Sequence, residues 1–318
     1  MRAVRVHTFG DPDVLRPDEV LRPEPAPGEV LIRVHAAGVN PADLYARRGF
    51  PNIPPDLRPE IRLPWTPGGD VSGVVVDTAP DVTAWRPGDR VFGLVRFGDI
   101  NNGGRAYAEY TTAPADHLAR VPDGLDHVPA AGVPMAGLTA LQIMFEVAAL
   151  PPGKKVLVNG AAGGTGHFFV QLAKTRDAHV VAVASGRHEA FLRDLGADEF
   201  IDYTTTDVAT AVRDVDHLFD AVAGPDAYRL LPVLRDGGVI SPIYLGDYHP
   251  EEAAARGITF AGGQVRSDGA GMAELARLIE SGAVRVAVDS EFALADAASA
   301  HAHGERGHLQ GKIVLRVD

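Results

Sequence analysis

At 318 residues, with 46% hydrophobic and 23% charged residues, the chain has the make-up of a soluble globular protein of two ordinary domains. Its formal net charge of -12 argues against non-specific binding to nucleic acid or to an anionic membrane, because the long-range field repels both. There is no cysteine, which removes disulfides, thiolate nucleophiles and every zinc site built on sulfur.

The amino terminus MRAVRVHTFG lacks the apolar run of a signal peptide. No stretch approaches the roughly 20 apolar residues that span a bilayer, so cytoplasmic residence is expected. The first part of the chain, to residue 125, is rich in Pro and Gly and in short β-type runs. EVLIRVHAAGV (Glu29 to Val39) alternates and is β-branched, as a strand should be. DVSGVVVDT and DRVFGLV follow, separated by turn material, and AYAEYTTAPADHLARVP reads as two further strands. Strands without long intervening helices indicate a compact β-rich domain.

The texture changes at residue 126. AAGVPMAGLTALQIMFEVAAL has apolar residues at helical spacing and stops at Pro151-Pro152-Gly153. KKVLVNG, HVVAVAS, DEFIDY, HLFDAVAG and GGVISPIY then read as buried strands, alternating with helical stretches such as GTGHFFVQLAKTRD and HEAFLRDLGA. That rhythm predicts a doubly wound parallel sheet over residues 126–264. From residue 265 a helix, GAGMAELARLIESGAV, leads to a final alternating strand, GKIVLRVD, which could complete the amino-terminal β domain.

The sharpest motif is VLVNGAAGGTGHFFVQLAK (Val156 to Lys174). Gly160, Gly163 and Gly166 follow a strand and open a helix, with Ala161, Gly164 and Thr165 in the same turn. The first glycine permits a tight turn, the second lets the backbone approach a pyrophosphate, and the third lets helix and strand pack closely. Free amides at the helix start then meet the anion. At the end of the next strand an NAD-preferring site usually offers an acid to the ribose 2'-hydroxyl. Here Ser185, Gly186, Arg187 and His188 come before any acid, and Arg187 can pair with a 2'-phosphate. NADPH is the expected cofactor.

Read together and in order, GVNPADLYARRG (Gly38 to Gly49), PGGDVSGVV (Pro67 to Val75), RPGDRVFG, GLTALQ, GAAGGTGHFFVQLAK and GKIVL resemble the zinc-independent, zeta-crystallin-like quinone oxidoreductase branch of the medium-chain dehydrogenase/reductase superfamily. The resemblance runs over essentially the whole chain. It implies an α/β protein in which a GroES-like catalytic domain (1–125 and 265–318) flanks an inserted Rossmann domain (126–264), with nicotinamide and substrate held in the cleft between them. It also implies a homodimer. The zinc-dependent branch carries Cys, His and acidic ligands near GVNPAD and PGGDVSG. This chain has Asn40 and Asp43 in the first segment and Gly69-Asp70 without His in the second, and residues 94 to 106 form only a short loop in place of a structural-zinc lobe. His301 and His303 read as solvated surface, so no metal is expected.

Without a metal Lewis acid, the acceptor must already be electrophilic, which fits quinones and enones better than simple alcohols. By resemblance, Asn40, Asp43 and Tyr45 face nicotinamide and substrate. Asn40 could orient a ribose or substrate oxygen, and Tyr45 could donate a hydrogen bond or a proton. The same Asn-Pro-Ala-Asp segment is also good helix-cap chemistry. Resemblance further places Thr139 near the nicotinamide or its ribose, Tyr203 on the adenosine side, and Tyr244-Leu245-Gly246 along the cofactor. Lys312 occupies a family position, yet a lone Lys before a terminal strand reads as surface. The Pro-rich loop Arg47 to Trp65 either shapes an acceptor pocket, with Arg47 or Arg48 favouring anionic acceptors, or simply covers the barrel.

Three functions are consistent with these residues. The first is NADPH-dependent reduction of a small-molecule quinone or other conjugated carbonyl. The second is enoyl reduction on a polyketide-like or thioester substrate. The third is a non-enzymatic NADPH-binding structural or sensor protein.

Overall fold

A computed structural model describes residues 1–99, 101 and 105–317, and the chain divides into two compact units. The first comprises Met1–Leu138, Arg266–Glu280 and Val286–Asp318; the second comprises Thr139–Val265 and Ser281–Arg285. The segment His127–Ala131, where the sequence changes texture, is helical and packs on the sheet of the first unit. The long helix read from AAGVPMAGLTALQIMFEVAAL is broken. It forms His127–Ala131, Pro134–Leu141 and a π-helical turn Gln142–Val147. Pro134 lacks the amide needed to continue the first of these, so it starts a new helix instead.

In the first unit, β1 (Arg2–Val6) and β2 (Leu15–Glu19) form an antiparallel hairpin. The remaining strands among the described residues make one sheet. These are β3 (Glu29–Val39), β4 (Asp70–Thr78), β5 (Arg90–Leu94), β6 (Tyr110–Pro114) and β7 (Leu118–Arg120). Two late strands join them after the excursion through the second unit, and one of these, Lys312–Arg316, pairs antiparallel with β3 as its alternation suggested. β3 is the hub. Its outer half pairs with β6 and its inner half with Lys312–Arg316, while β4 runs along its other edge. Its alternating apolar residues, Val30, Ile32 and Val34, fill a core shared with Val71, Val91, Ile313 and Leu315. The loop after Arg47 contributes Ile61 and Trp65 to the same core, and Trp65 exchanges backbone hydrogen bonds with Val6. The end of that loop therefore packs on the core of the sheet.

The second unit holds β8 (Lys155–Asn159), β9 (His179–Ala184), β10 (Glu199–Asp202), β11 (Val215–Asp220), β12 (Leu234–Pro242) and β13 (Thr259–Phe260). They form a wholly parallel sheet in the order β10-β9-β8-β11-β12-β13. This is the 3-2-1-4-5-6 order of a dinucleotide-binding sheet, with its switch between β8 and β11. Phe169 of the helix Gly166–Lys174 stacks on Phe219 of β11 at 4.6 Å, and His217 stacks on the same ring at 4.1 Å. The last two strands of the chain, β14 (Val288–Ala293) and β15 (Lys312–Arg316), return to the first unit and pair in parallel.

Candidate functional site

In the second unit the expected cofactor residues gather where parallel strands end. Gly160 follows β8, Ser185 follows β9, Tyr203 follows β10, and Tyr244-Leu245 lie just past β12. The carboxyl ends of such strands are where open α/β sheets bind ligands. Gly160 has φ +71°, and a Cβ there would meet Val222 at 2.8 Å. A Cβ on Gly166 would lie 2.1 Å from the carbonyl oxygen of Gly160, so helix and strand can approach only if residue 166 is glycine. Gly163 differs. A Cβ there would meet the same oxygen at 3.3 Å, a close contact but far looser than at Gly166. His167, which sequence reasoning passed over, is buried and bonds through Nδ1 to the Gly163 carbonyl at 3.0 Å, bracing the turn from behind. Ala161 is buried, whereas Gly164 and Thr165 are half-buried.

Asp220, the last residue of β11, also escaped notice. Its carboxylate accepts from Asn159 Nδ2 (2.9 Å), from the amides of Val222 (3.0 Å) and Ala223 (2.9 Å), and from the Tyr248 hydroxyl (2.8 Å). Four donors on one buried acid tie the ends of β8 and β11 to the loop that carries Tyr244 and Leu245. Burial and the neighbouring Asp220 charge push the Tyr248 phenol far above its ordinary range, so it remains a donor. Tyr203, Tyr244 and Leu245 are exposed, as side chains offered to a ligand would be, while Thr139 is buried.

In the first unit, strand register builds a second cluster. β3 ends at Val39, opposite Ile313, and Gly38 lies opposite Asp70 at the start of β4. Asn40, Asp70 and Lys312 thus meet at one corner of the sheet. Asn40 Nδ2 donates to Asp70 Oδ2 at 2.9 Å, and Lys312 Nζ donates to Asn40 Oδ1 and to the Val39 carbonyl (3.1 Å). Both ends of the Asn40 amide are therefore specified, and its orientation is unambiguous. Asp70 Oδ1 accepts from the Met135 amide at 2.8 Å, next to the start of the helix Pro134–Leu141. Asp43 accepts from the amides of Asn40 (3.0 Å) and Gly68 (3.1 Å), tying the helix Pro41–Arg47 to the approach to β4.

Lys312 is 4% exposed and is not the surface residue expected of it. The register of β15 against β3 turns it inward beside Asn40. Burial raises the pKa of Asp43 to about 7, against the two amide bonds that favour its anion, and the Asp70 charge adds to the rise. Burial likewise raises Asp70 and lowers Lys312, each opposed by the other's charge. Tyr45 lies half-buried on the same short helix, two residues beyond Asp43.

Two further expectations are corrected. Arg47 is fully buried, donates from Nε to the Gly10 carbonyl at 3.0 Å and pairs with Glu305, so it anchors the helix from inside the core. Arg48 is exposed and lies 3.2 Å from the same carboxylate. His301 is not solvated: it is buried on the helix Ala297–Glu305 with Nε2 3.0 Å from the Tyr107 hydroxyl, because the small residues flanking it let that helix pack on the core. His303 is half-buried and pairs with Asp289 at 2.8 Å.

The donor set does not fit a catalytic zinc. The oxygens of Asp43 and Asp70 are taken up by amides and Asn40, and the cation among them is an ammonium. Among the described residues no group of three or more His, Cys, Asp or Glu could hold a metal ion. Of the loop 94–106, residues 100 and 102–104 lie outside the described residues.

Residues 26–123 match the family described as alcohol dehydrogenase GroES-like domain, and residues 195–315 match zinc-binding dehydrogenase. A chloroplast envelope quinone oxidoreductase homolog of Arabidopsis thaliana is 31% identical, over 99% of this chain and 98% of its own. The structure of a quinone oxidoreductase from Coxiella burnetii is 32% identical with a TM-score of 0.89, covering 100% of this chain and 99% of its own. A mycobacterial structure described as complexed with NADPH is 31% identical with a TM-score of 0.84, covering 99% of this chain and 100% of its own.

Proposed function

Because the chain belongs to the quinone oxidoreductase branch of the medium-chain dehydrogenase/reductase family and is an NAD(P)H-dependent oxidoreductase, we propose that it reduces a quinone or another conjugated carbonyl with NADPH and without a metal. The observation that carries this reading is the corner of β3, β4 and β15. There Asn40, Asp70 and Lys312 satisfy one another and leave no ligand set for a Lewis acid. An acceptor that needs no metal is one whose reduced form spreads its charge, as a quinolate or enolate does.

The glycine turn, with Ala161, Gly164 and Thr165, is proposed to hold a pyrophosphate, and Ser185, Arg187 and Tyr203 are proposed for the adenosine end. Thr139, Tyr244 and Leu245 are proposed for the nicotinamide end. When bound, the reduced nicotinamide supplies the hydride. Asn40 and Asp43 are proposed for the catalytic side of the site with Tyr45, Asn40 by orienting a ribose or substrate oxygen, and their bonds to Asp70, Lys312 and the Gly68 amide hold the segment that leads to Tyr45. Tyr45 carries the phenol proposed to donate to the acceptor oxygen. The proposal extends to a homodimer and to residence in the cytoplasm. Among the described residues no helix is long and apolar enough to cross a membrane.

The test is the loss of reduced-nicotinamide absorbance with a panel of quinones, enones and enoyl thioesters, with and without chelator, using NADPH and then NADH. Chelator-insensitive quinone turnover supports the reading, and chelator-sensitive turnover overturns its metal-free part. Enoyl thioesters as the best acceptors, with Tyr45→Phe abolishing their reduction while quinone turnover persists, would instead identify an enoyl reductase.

A further inference from the structure

The acid missing from the end of β9 arrives from the neighbouring strand. In the parallel register Asp202, the last residue of β10, lies opposite Ala184, the last residue of β9. Its side chain then reaches forward over Gly186. A Cβ on Gly186 would lie 2.5 Å from Asp202 Oδ2 and 3.3 Å from its carboxyl carbon. The carboxylate occupies the space in which a residue-186 side chain would begin.

The carboxylate is also fixed there. Oδ1 accepts from the Thr204 amide at 2.9 Å and from the Thr204 hydroxyl at 2.7 Å. These bonds, with a smaller contribution from the Gly186 amide, hold Asp202 below the usual carboxylate range, so it is charged at neutral pH. Next along the chain, Arg187 donates from Nε to His188 Nε2 at 3.0 Å, and His188 is itself buried. The neighbouring ends of β9 and β10 therefore carry an anchored guanidinium and a fixed carboxylate.

In a Rossmann site this strand end faces the adenosine ribose, where NADH has a hydroxyl and NADPH a phosphate dianion. A carboxylate favours the first, because a hydroxyl can donate to it, and opposes the second by like-charge repulsion. A guanidinium does the reverse. We propose that Asp202 is a specificity-determining residue of the cofactor site, weighing against the 2'-phosphate in opposition to Arg187. This rests on the reading of the glycine turn as a nicotinamide dinucleotide site. It makes cofactor choice in this chain a balance of two opposed charges, one in the turn after β9 and one at the end of β10, so the preference for NADPH is weaker than Arg187 alone would set.

The experiment measures the dissociation constants of NADPH and NADH directly, by quenching of intrinsic Trp and Tyr fluorescence, for the full chain and for Asp202→Asn, Asp202→Ser and Arg187→Gln. The ratio of the two constants within each protein cancels any general loss of folding. Each Asp202 variant should shift the ratio toward NADPH by about tenfold, and Arg187→Gln should shift it the other way. Both shifts should shrink at high salt, because Asp202 and Arg187 stand at the surface. Both nucleotides binding with an unchanged ratio in the two Asp202 variants would overturn the assignment alone. Failure of the unmodified chain to bind either nucleotide would overturn the dinucleotide reading as well.

Discussion

Lys312 Nζ and Asp70 Oδ2 lie 3.7 Å apart on side chains that are 4% and 0% exposed, with Asn40 bonded to both. A buried ion pair is not by itself a source of stability, because desolvation offsets much of the attraction, but removing one partner strands the other charge. Lys312→Met should therefore destabilise the protein by about 3–5 kcal/mol in urea unfolding. The double variant Lys312→Met/Asp70→Asn should recover a substantial part of that loss. Equal destabilisation by the single and double variants would show that the pair is not coupled.

The pKa of Asp43 sets a pH dependence of definite sign. Its folded value of about 7 exceeds the ordinary value of 3.8, so between the two the folded state holds the proton more tightly. Stability from this group is full below the lower value and falls as pH rises toward the upper one. The wild type should lose stability relative to Asp43→Asn between pH 4 and pH 7, by on the order of a few kcal/mol. Parallel stability profiles of the two proteins would refute this.

If the glycine turn holds the dinucleotide as proposed, Gly166 and Gly163 separate packing from ligand access. Gly166→Ala forces a Cβ to 2.1 Å from a backbone oxygen, and overpacking of this kind costs about 1–3 kcal/mol or more. Gly163→Ala meets only one atom, at 3.3 Å, and should leave the melting temperature within a few degrees of wild type. It should nevertheless weaken dinucleotide binding by about tenfold or more in the same fluorescence titration. Retained affinity in Gly163→Ala would place the pyrophosphate elsewhere.

Arg47 offers a test of structure against substrate selection. Its guanidinium bonds to the Gly10 carbonyl and Glu305 inside the protein. Arg47→Met should lower stability by about 2–5 kcal/mol through the stranded partners and leave the preference between anionic and neutral quinones unchanged. A change in that preference at unchanged stability would return Arg47 to the acceptor site.

Much of the fold is legible in local pattern. β3 and β4 coincide with the runs Glu29 to Val39 and Asp70 to Thr78, because alternation of apolar residues and the turn material around them are properties of consecutive residues. The turn at Gly160, Gly163 and Gly166 is legible for the same reason, since one short segment carries strand, turn and helix start together. Pro134 breaks a stretch whose apolar periodicity continues on either side of it, so the pattern alone reads as one helix.

What the sequence by itself determined is therefore most of the strands, the glycine turn between β8 and the helix that follows it and, through ordered motifs, the family. Only the tertiary structure decided which distant side chains share a corner. Lys312 lies 272 residues from Asn40 and reads as a surface lysine until the pairing of Ile313 with Val39 turns it inward. Asp202 looks like an ordinary strand-end acid until the register of β10 against β9 carries its carboxylate over Gly186. Periodicity reports which face of an element is apolar, but hydrogen-bond register between strands is set by the packing of the whole sheet. The side chains that share a strand end depend on that register.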